Sequence, residues 1–254
     1  RALVDDEDGL VFSTPQEAPE GERYLLGLDE GGTAYFGVAA PLPAPPPRGR
    51  AASLRSVGAF LPDRDAGLLV HAVALQHWHA THTHCPRCGA PTDIAAAGHV
   101  RRCPRDGSEH FPRVDPAVIA LVHDGAGCCV LAHQPRWPDR RFSVIAGFVE
   151  PGESLERAVA REVGEEVDLA VREARYVASQ PWPFPASLML GFEAVARHDP
   201  IHVDDDEISD AHWYTRTELV DAVERGAVLL PARVSIARQL IERWYGGELP
   251  DPQV

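Results

Sequence analysis

GFVEPGESLERAVAREVGEEVDL, residues 147–169, decides the fold. Gly147 and Gly152 permit a tight loop whose backbone amides approach a ligand closely. Ser154 is a good cap, and the spacing predicts a helix over 154–167, with Leu155, Val159 and Val163 advancing in steps of four. At about 100° per residue, Glu162 and Glu166 stand about 40° apart beside that apolar column. Glu165 lies on the adjoining flank, near enough for its side chain to converge, and Glu153 precedes the helix. So many carboxylates on one small surface repel one another unless a cation lies among them. A divalent metal is the obvious occupant, and a phosphate is its obvious client. A surface helix rich in Glu and Arg is the plainer reading of the same residues.

The bulk composition supports an ordinary soluble core. The chain has 254 residues, 44% of them hydrophobic, enough for one large domain or two to three small ones. Its 38 acidic and 24 basic residues give a net charge of −14, which argues against non-specific binding to a nucleic acid backbone. An anionic substrate stays compatible, because bound metals reverse the local sign. No apolar run is long enough to span a membrane, and the first residues show no basic-then-apolar leader pattern. The cysteines Cys85, Cys88, Cys103, Cys128 and Cys129 do not form a disulfide framework, so a reducing, cytoplasmic setting is expected.

Three segments are expected: a small α+β domain over 1–79, a cysteine-bearing insert over 80–113 and a catalytic domain over 114–254. In the first, 24–28 and 34–38 read as strands around a turn at 29–32, 41–47 is a proline-rich spacer, and a helix capped by Asp65 runs over 65–78. In the last, 117–122 and 128–133 form a hairpin, 142–146 and 188–196 are strands, and 209–214 is a short strand or bend. Helices follow over 217–225 and 233–244.

A glycine, five residues, Glu153, seven residues, then Arg161-Glu162-Val163-Gly164-Glu165-Glu166 closely resembles the signature of the Nudix hydrolases. The chain departs from that pattern at Asp168, where glycine is the rule; Asp tolerates left-handed backbone, so the loop survives with some strain. The resemblance implies an α+β fold, a Nudix α/β/α sandwich with a mixed sheet. It also implies metal-dependent attack of water on a nucleoside diphosphate linked to another group. Glu162 and Glu166 would bind Mg²⁺ or Mn²⁺, Glu165 would be a further ligand or orient water, and Arg161 would secure the loop by pairing with Glu153.

Residues 179–187 read SQPWPFPAS. The alternating prolines predict a stiff loop outside helix and sheet. It presents two aromatics, Trp182 and Phe184, and two hydroxyls, a surface suited to a planar heterocycle on a sugar. A packed core loop or a partner-binding loop has the same composition. The run resembles the hallmark of the NADH pyrophosphatase branch of the Nudix family, which hydrolyses NAD(H) to nicotinamide mononucleotide and AMP and also removes NAD caps from RNA. By that resemblance Phe148 stacks on nicotinamide, Gln180, Trp182, Phe184 and Ser187 build the pocket, and Glu207 is a further metal ligand. Phe111 and Ala237, in the run 235–237, lie near the nucleotide, and a homodimer is expected. A Nudix hydrolase of another dinucleotide or nucleotide sugar is the rival enzyme reading. A zinc-ribbon interaction protein with a weak, nucleotide-binding Nudix domain is the non-enzymatic one.

Cys85 and Cys88 form a zinc knuckle by spacing, and Cys103 opens the second, where Asp106 stands in place of a fourth cysteine. Asp106, His110 or His99 completes a structural zinc site, or packing alone holds the insert. The nearby His71, His77, His79, His82 and His84 read as a solvated linker. Cys128 and Cys129 read as strand residues of the core.

Overall fold

The structure, a computed structural model, describes residues 1–203 and 206–250. The chain divides into two compact units: Arg1–Val114 with Trp182–Ala186, and Asp115–Pro181 with Ser187–Val254.

In the first unit β1 (Ala2–Val4), β2 (Glu22–Leu28), β3 (Ala34–Ala39) and β4 (Arg50–Ala52) make two antiparallel pairs, β1 with β4 and β2 with β3. The predicted turn closes with Gly32 N–H donating to the Asp29 carbonyl at 3.0 Å. A short α1 (Leu54–Val57) leads to α2 (Asp63–Thr81), which is longer than the apolar pattern predicted. Its cap position is Pro62, not Asp65. The Asp65 carboxylate is buried instead and accepts from Leu10 N–H at 2.8 Å. Val4, Ala52, Val57, Leu61 and Leu69 form the local core. The histidine run is not a linker, because His71, His77 and His79 ride on α2. His79 is buried, stacks on Tyr24 at 4.4 Å, and meets Arg101 Nη1 at 3.1 Å and the Gly98 carbonyl at 2.7 Å. With Arg101 donating to Nδ1, Nε2–H must be the proton given to Gly98, so both ring nitrogens are satisfied and the imidazole can sit inside. Strands β5 (Asp93–Ala95), β6 (Val100–Arg102) and β7 (Glu109–His110) form the ribbon that carries the cysteines.

The second unit is built on a mixed sheet of β8 (Asp115–His123), β9 (Cys128–His133), β10 (Ile145–Phe148), β11 (Val171–Trp182), β12 (Ser187–Ala196) and β13 (Asp210–Thr215), ordered β11-β12-β8-β9-β13 with β10 also on β8. β12 runs parallel to β8, whereas β9 and β10 run antiparallel to it. β8 shows the period-two logic of a strand covered on both faces. Val118, Ala120 and Val122 pack with Val159, Val163 and Val167 of α3 (Leu155–Val167). Ile119 and Leu121 pack with Leu219 of α4 (Arg216–Glu224) and Leu240 and Ile241 of α5 (Ile236–Tyr245). Each fully buried aliphatic side chain contributes about 1.5–3 kcal/mol, so this double-sided packing fixes α3 firmly on the sheet.

Two expected elements are redrawn. The strand expected over 142–146 lies at Ile145–Phe148, with Phe142 to Val144 outside the regular ladder. The stretch 179–187 is only partly the loop expected: Pro183 to Ala186 is a turn outside helix and sheet, but β11 continues through Pro181 to Trp182 and β12 starts at Ser187. Proline fits because β11 is an edge strand, where a missing N–H leaves no ladder partner unmatched. Among the described residues no helix is long and apolar enough to cross a membrane.

Candidate active site and the zinc ribbon

Ser154 caps α3 as predicted, accepting from the Arg157 N–H at 3.4 Å. At the other end Asp168 takes the left-handed conformation, φ 55°, and its N–H reaches the Gly164 carbonyl at 3.1 Å. α3 therefore begins and ends where the signature requires, and β10 passes beside its carboxylate side. The approach is close enough that a Cβ on Gly147 would collide with the Glu162 carboxylate. Only glycine fits there for a steric reason, not for backbone freedom.

Glu162 is 8% exposed and Glu166 only 3%. Arg161 lies among the acids. Its Nε and Nη2 hold the two Glu153 oxygens at 3.0 and 2.9 Å, Nη1 donates to Glu162 at 2.7 Å and Glu165 at 3.0 Å, and Nη2 also donates to the Phe148 carbonyl at 2.9 Å. This one planar fork fixes the loop between β10 and α3 and partly neutralises three carboxylates. Glu153 is held below its ordinary range by Arg161. Glu162 is pushed up by burial, against the pull of Arg161. Glu166 is pushed up to about 8, first by burial and then by the charges of Glu162, Glu207 and Glu165. Its Oε2 is buried without a hydrogen-bond partner. A buried carboxylate oxygen with no donor, beside other acids, is costly unless a cation meets it. The residues thus fit a hard divalent metal, which takes oxygen ligands. Glu165 and Glu207 are exposed, and Asp204 and Asp205, beside Glu207, lie outside the described residues.

The other predicted residues divide between the two units. In the second, the Phe148 ring is 58% exposed at the end of β10, available for stacking. Ser187 opens β12 opposite Asp115. Gln180 is committed to structure: its Nε2 donates to the Val234 carbonyl at 2.7 Å and its Oε1 accepts from Ile236 N–H at 2.8 Å, clamping the start of α5. Ala237 is a core residue, 5% exposed. In the first unit, Trp182 and Phe184 meet edge to face at 5.2 Å, and the Arg55 guanidinium lies 3.8 Å over the Phe184 ring. Phe111, also in that unit, is 66% exposed. The Gly147 contact and the Gln180 clamp escaped the sequence reading. The clamp joins residues 54 and 56 positions apart, a pairing with no local pattern to betray it.

In the ribbon, one ligand atom from each of Cys85, Cys88, Cys103 and Asp106 lies within 4.8 Å of all the others. Cys85 Sγ is 3.5 Å from Asp106 Oδ2, and Cys88 Sγ is 3.5 Å from Cys103 Sγ. Ser108 holds the other oxygen, Asp106 Oδ1, through its N–H at 2.9 Å and hydroxyl at 2.6 Å. That leaves Asp106 Oδ2 facing the Cys85 sulfur, and a set of three thiols and one oxygen fits zinc. His99 is engaged elsewhere, with the Leu25 carbonyl at 2.8 Å, and His110 contacts Ser108 at 3.1 Å.

Comparison with known proteins agrees with this architecture. Residues 113–234 match the family model of the NUDIX domain, 80–111 that of the NADH pyrophosphatase zinc ribbon domain, and 3–78 that of the NADH pyrophosphatase-like rudimentary NUDIX domain. The chain is 46% identical over 244 residues to the NAD-capped RNA hydrolase NudC of Mycobacterium bovis, covering 91% of this chain and 78% of that protein. It is 40% identical over 196 residues to the human NAD-capped RNA hydrolase NUDT12, covering 72% of this chain and 42% of that one. A crystal structure of a NUDIX hydrolase from Nitrosomonas europaea shares the fold, with a TM-score of 0.50, 20% identity and coverage of 66% of this chain and 95% of its own. The chain belongs to the Nudix hydrolase family, in the branch that joins a NADH pyrophosphatase-type zinc ribbon and N-terminal domain to the catalytic one.

Proposed function

We propose that the protein hydrolyses the pyrophosphate bond of NAD(H) to nicotinamide mononucleotide, oxidised or reduced, and AMP, and that it also removes 5′ NAD caps from RNA. The observation that carries this reading is Glu166, buried with one oxygen unmet, beside Glu162 and under the influence of Glu165 and Glu207. The similarity to NAD-capped RNA hydrolases over most of the chain supports the choice of substrate.

Glu162, Glu166, Glu165 and Glu207 would hold Mg²⁺ or Mn²⁺. A bound divalent cation supplies charge neutralisation at the pyrophosphate and lowers the pKa of a coordinated water. The chain's own residues prepare for this. Arg161 keeps Glu153 and the Phe148 carbonyl fixed, so the loop and the exposed ring beside it are set before substrate arrives. Phe148 offers a flat apolar face for the nicotinamide. Gln180 shapes the site at one remove, by holding the start of α5. Zinc at Cys85, Cys88, Cys103 and Asp106 is structural in this scheme. We further propose a homodimer, by analogy with the family, and a cytoplasmic location, which suits the free thiols.

A direct test compares NADH, NAD⁺, ADP-ribose and NAD-capped RNA with Mg²⁺ and with Mn²⁺, identifying products chromatographically. AMP and reduced nicotinamide mononucleotide from NADH, lost on chelation, are expected. Preference for ADP-ribose or a nucleotide sugar, with NADH left intact, would overturn the substrate assignment. Light scattering in solution checks the dimer.

A further inference from the structure

A second group of ligand-type side chains lies in the Nudix unit, apart from the glutamates and the ribbon. Parallel pairing brings the end of β12 beside the end of β8, with Val195 opposite His123. The next residues on each path are the β8–β9 turn and the segment after β12, so Asp124 and His198 meet although 74 positions apart. Asp124 Oδ1 accepts the N–H groups of Ala126, Gly127 and Cys128 at 2.7, 2.9 and 2.9 Å. That shapes the turn and leaves Oδ2 for other work. Oδ2 meets His198 Nδ1 at 3.1 Å. One ligand atom each from Asp124, Cys128 and His198 lies within 4.8 Å of the other two. The Asp124 side chain is only 8% exposed, so the carboxylate is positioned by the fold rather than by solvent. His198 is held in turn by Trp213, stacked 4.5 Å away, whose Nε1 donates to the Asp199 carbonyl at 3.0 Å.

We infer that Asp124, Cys128 and His198 form a binding site for a zinc-class transition-metal dication, which clips the β8–β9 turn to the end of β12. The donor set decides the class. One thiolate, one imidazole and one carboxylate suit a borderline ion, whereas magnesium and calcium take oxygen alone. Tetrahedral bonds of about 2.0–2.3 Å place ligand atoms about 3.3–3.6 Å apart, against separations of 3.1 Å for the Asp124–His198 pair and no more than 4.8 Å for the others. Three protein ligands leave one position for water. Binding releases the Cys128 proton, and His198 moves its own proton to Nε2 and ligates through Nδ1. A capping role for Asp124 alone explains the turn but leaves unexplained why an imidazole meets its outer oxygen with a thiol within 4.8 Å of the pair.

The test uses the full-length chain, zinc alone as probe, and excess magnesium to fill the carboxylate site. Iodoacetamide labelling of Cys128 is followed by peptide mass spectrometry. With zinc at about 100 times its Kd the free-thiol fraction, and with it the labelling rate, falls about 100-fold. His198→Gln should abolish that protection while Cys85 labels as in the wild type, and Cys128→Ser should bind one cobalt(II) fewer per chain. The inference fails if Cys128 labels equally fast with and without zinc, or if His198→Gln keeps the full protection. His198 and Cys128 lie outside the hydrolytic machinery, so turnover of NADH serves as the folding control and should not change.

Discussion

Replace Glu166 by Gln, withhold magnesium and manganese, and the chain should become more stable. The magnitude follows from the carboxyl's surroundings. In the fold Glu166 titrates at about 8, against 4.5 when free. At pH 7 the unfolded chain is ionised there while the native chain must bind a proton, and each unit of that mismatch is worth about 1.4 kcal/mol. The burden at pH 7 is therefore about 3 kcal/mol, and glutamine, neutral in both states, removes most of it. The sign sets the pH dependence. Between about 4.5 and 8 the native state holds more protons at this position than the unfolded state, so wild-type stability falls as pH rises through that window and levels off above it. The difference between variant and wild type should grow from about 1 kcal/mol near pH 5 to its full value near pH 8. Urea unfolding across that range, at one fixed zinc concentration, measures it. Magnesium should then reverse the order by stabilising only the wild type, and the variant should lose about 100-fold or more in kcat/KM. A metal-free Glu166→Gln chain less stable than wild type at pH 8, or a difference independent of pH, would refute the reasoning.

Three further outcomes are expected. Gly147→Ala should fold but lose most of its turnover, because the new methyl displaces the Glu162 carboxylate; circular dichroism beside NADH kinetics separates the two effects. Asp168→Gly should raise the thermal midpoint by relieving a left-handed residue, a gain of about 1 kcal/mol, with turnover unchanged. Asp106→Cys should slow the release of zinc to a chromogenic chelator, since a fourth thiolate is the softer ligand; equal release rates would remove Asp106 from the zinc set.

The sequence announced α3 in detail because its signals are local. A serine cap, an apolar column in steps of four and an aspartate at the left-handed exit all act within a few residues of themselves. The knuckle spacing was legible for the same reason. What stayed hidden depends on partners far along the chain. His79 looked like part of a solvated run until Tyr24, Gly98 and Arg101 closed around it. Pro181 looked incompatible with a strand until the sheet order put β11 at an edge. Arg161 was expected to tie Glu153, yet its contacts with Glu162 and Glu165 make it a resident cation in the acidic cluster. Arg238, fully buried, gave no hint at all of its 2.7 Å pairing with Glu242 or its reach to the Leu249 carbonyl.

The chain's path has a practical consequence. Having left the first unit at Val114, the polypeptide returns to it for Trp182–Ala186 before completing the second. A fragment starting at Asp115 would carry that five-residue excursion without Arg55, the cation over Phe184, or His77, whose Nδ1 lies 3.4 Å from the Pro185 carbonyl. Phe184 would then lose the cation over its ring and leave an apolar, sticky tip. Anyone wishing to produce the hydrolytic half alone should redesign that tip first, or keep the whole polypeptide.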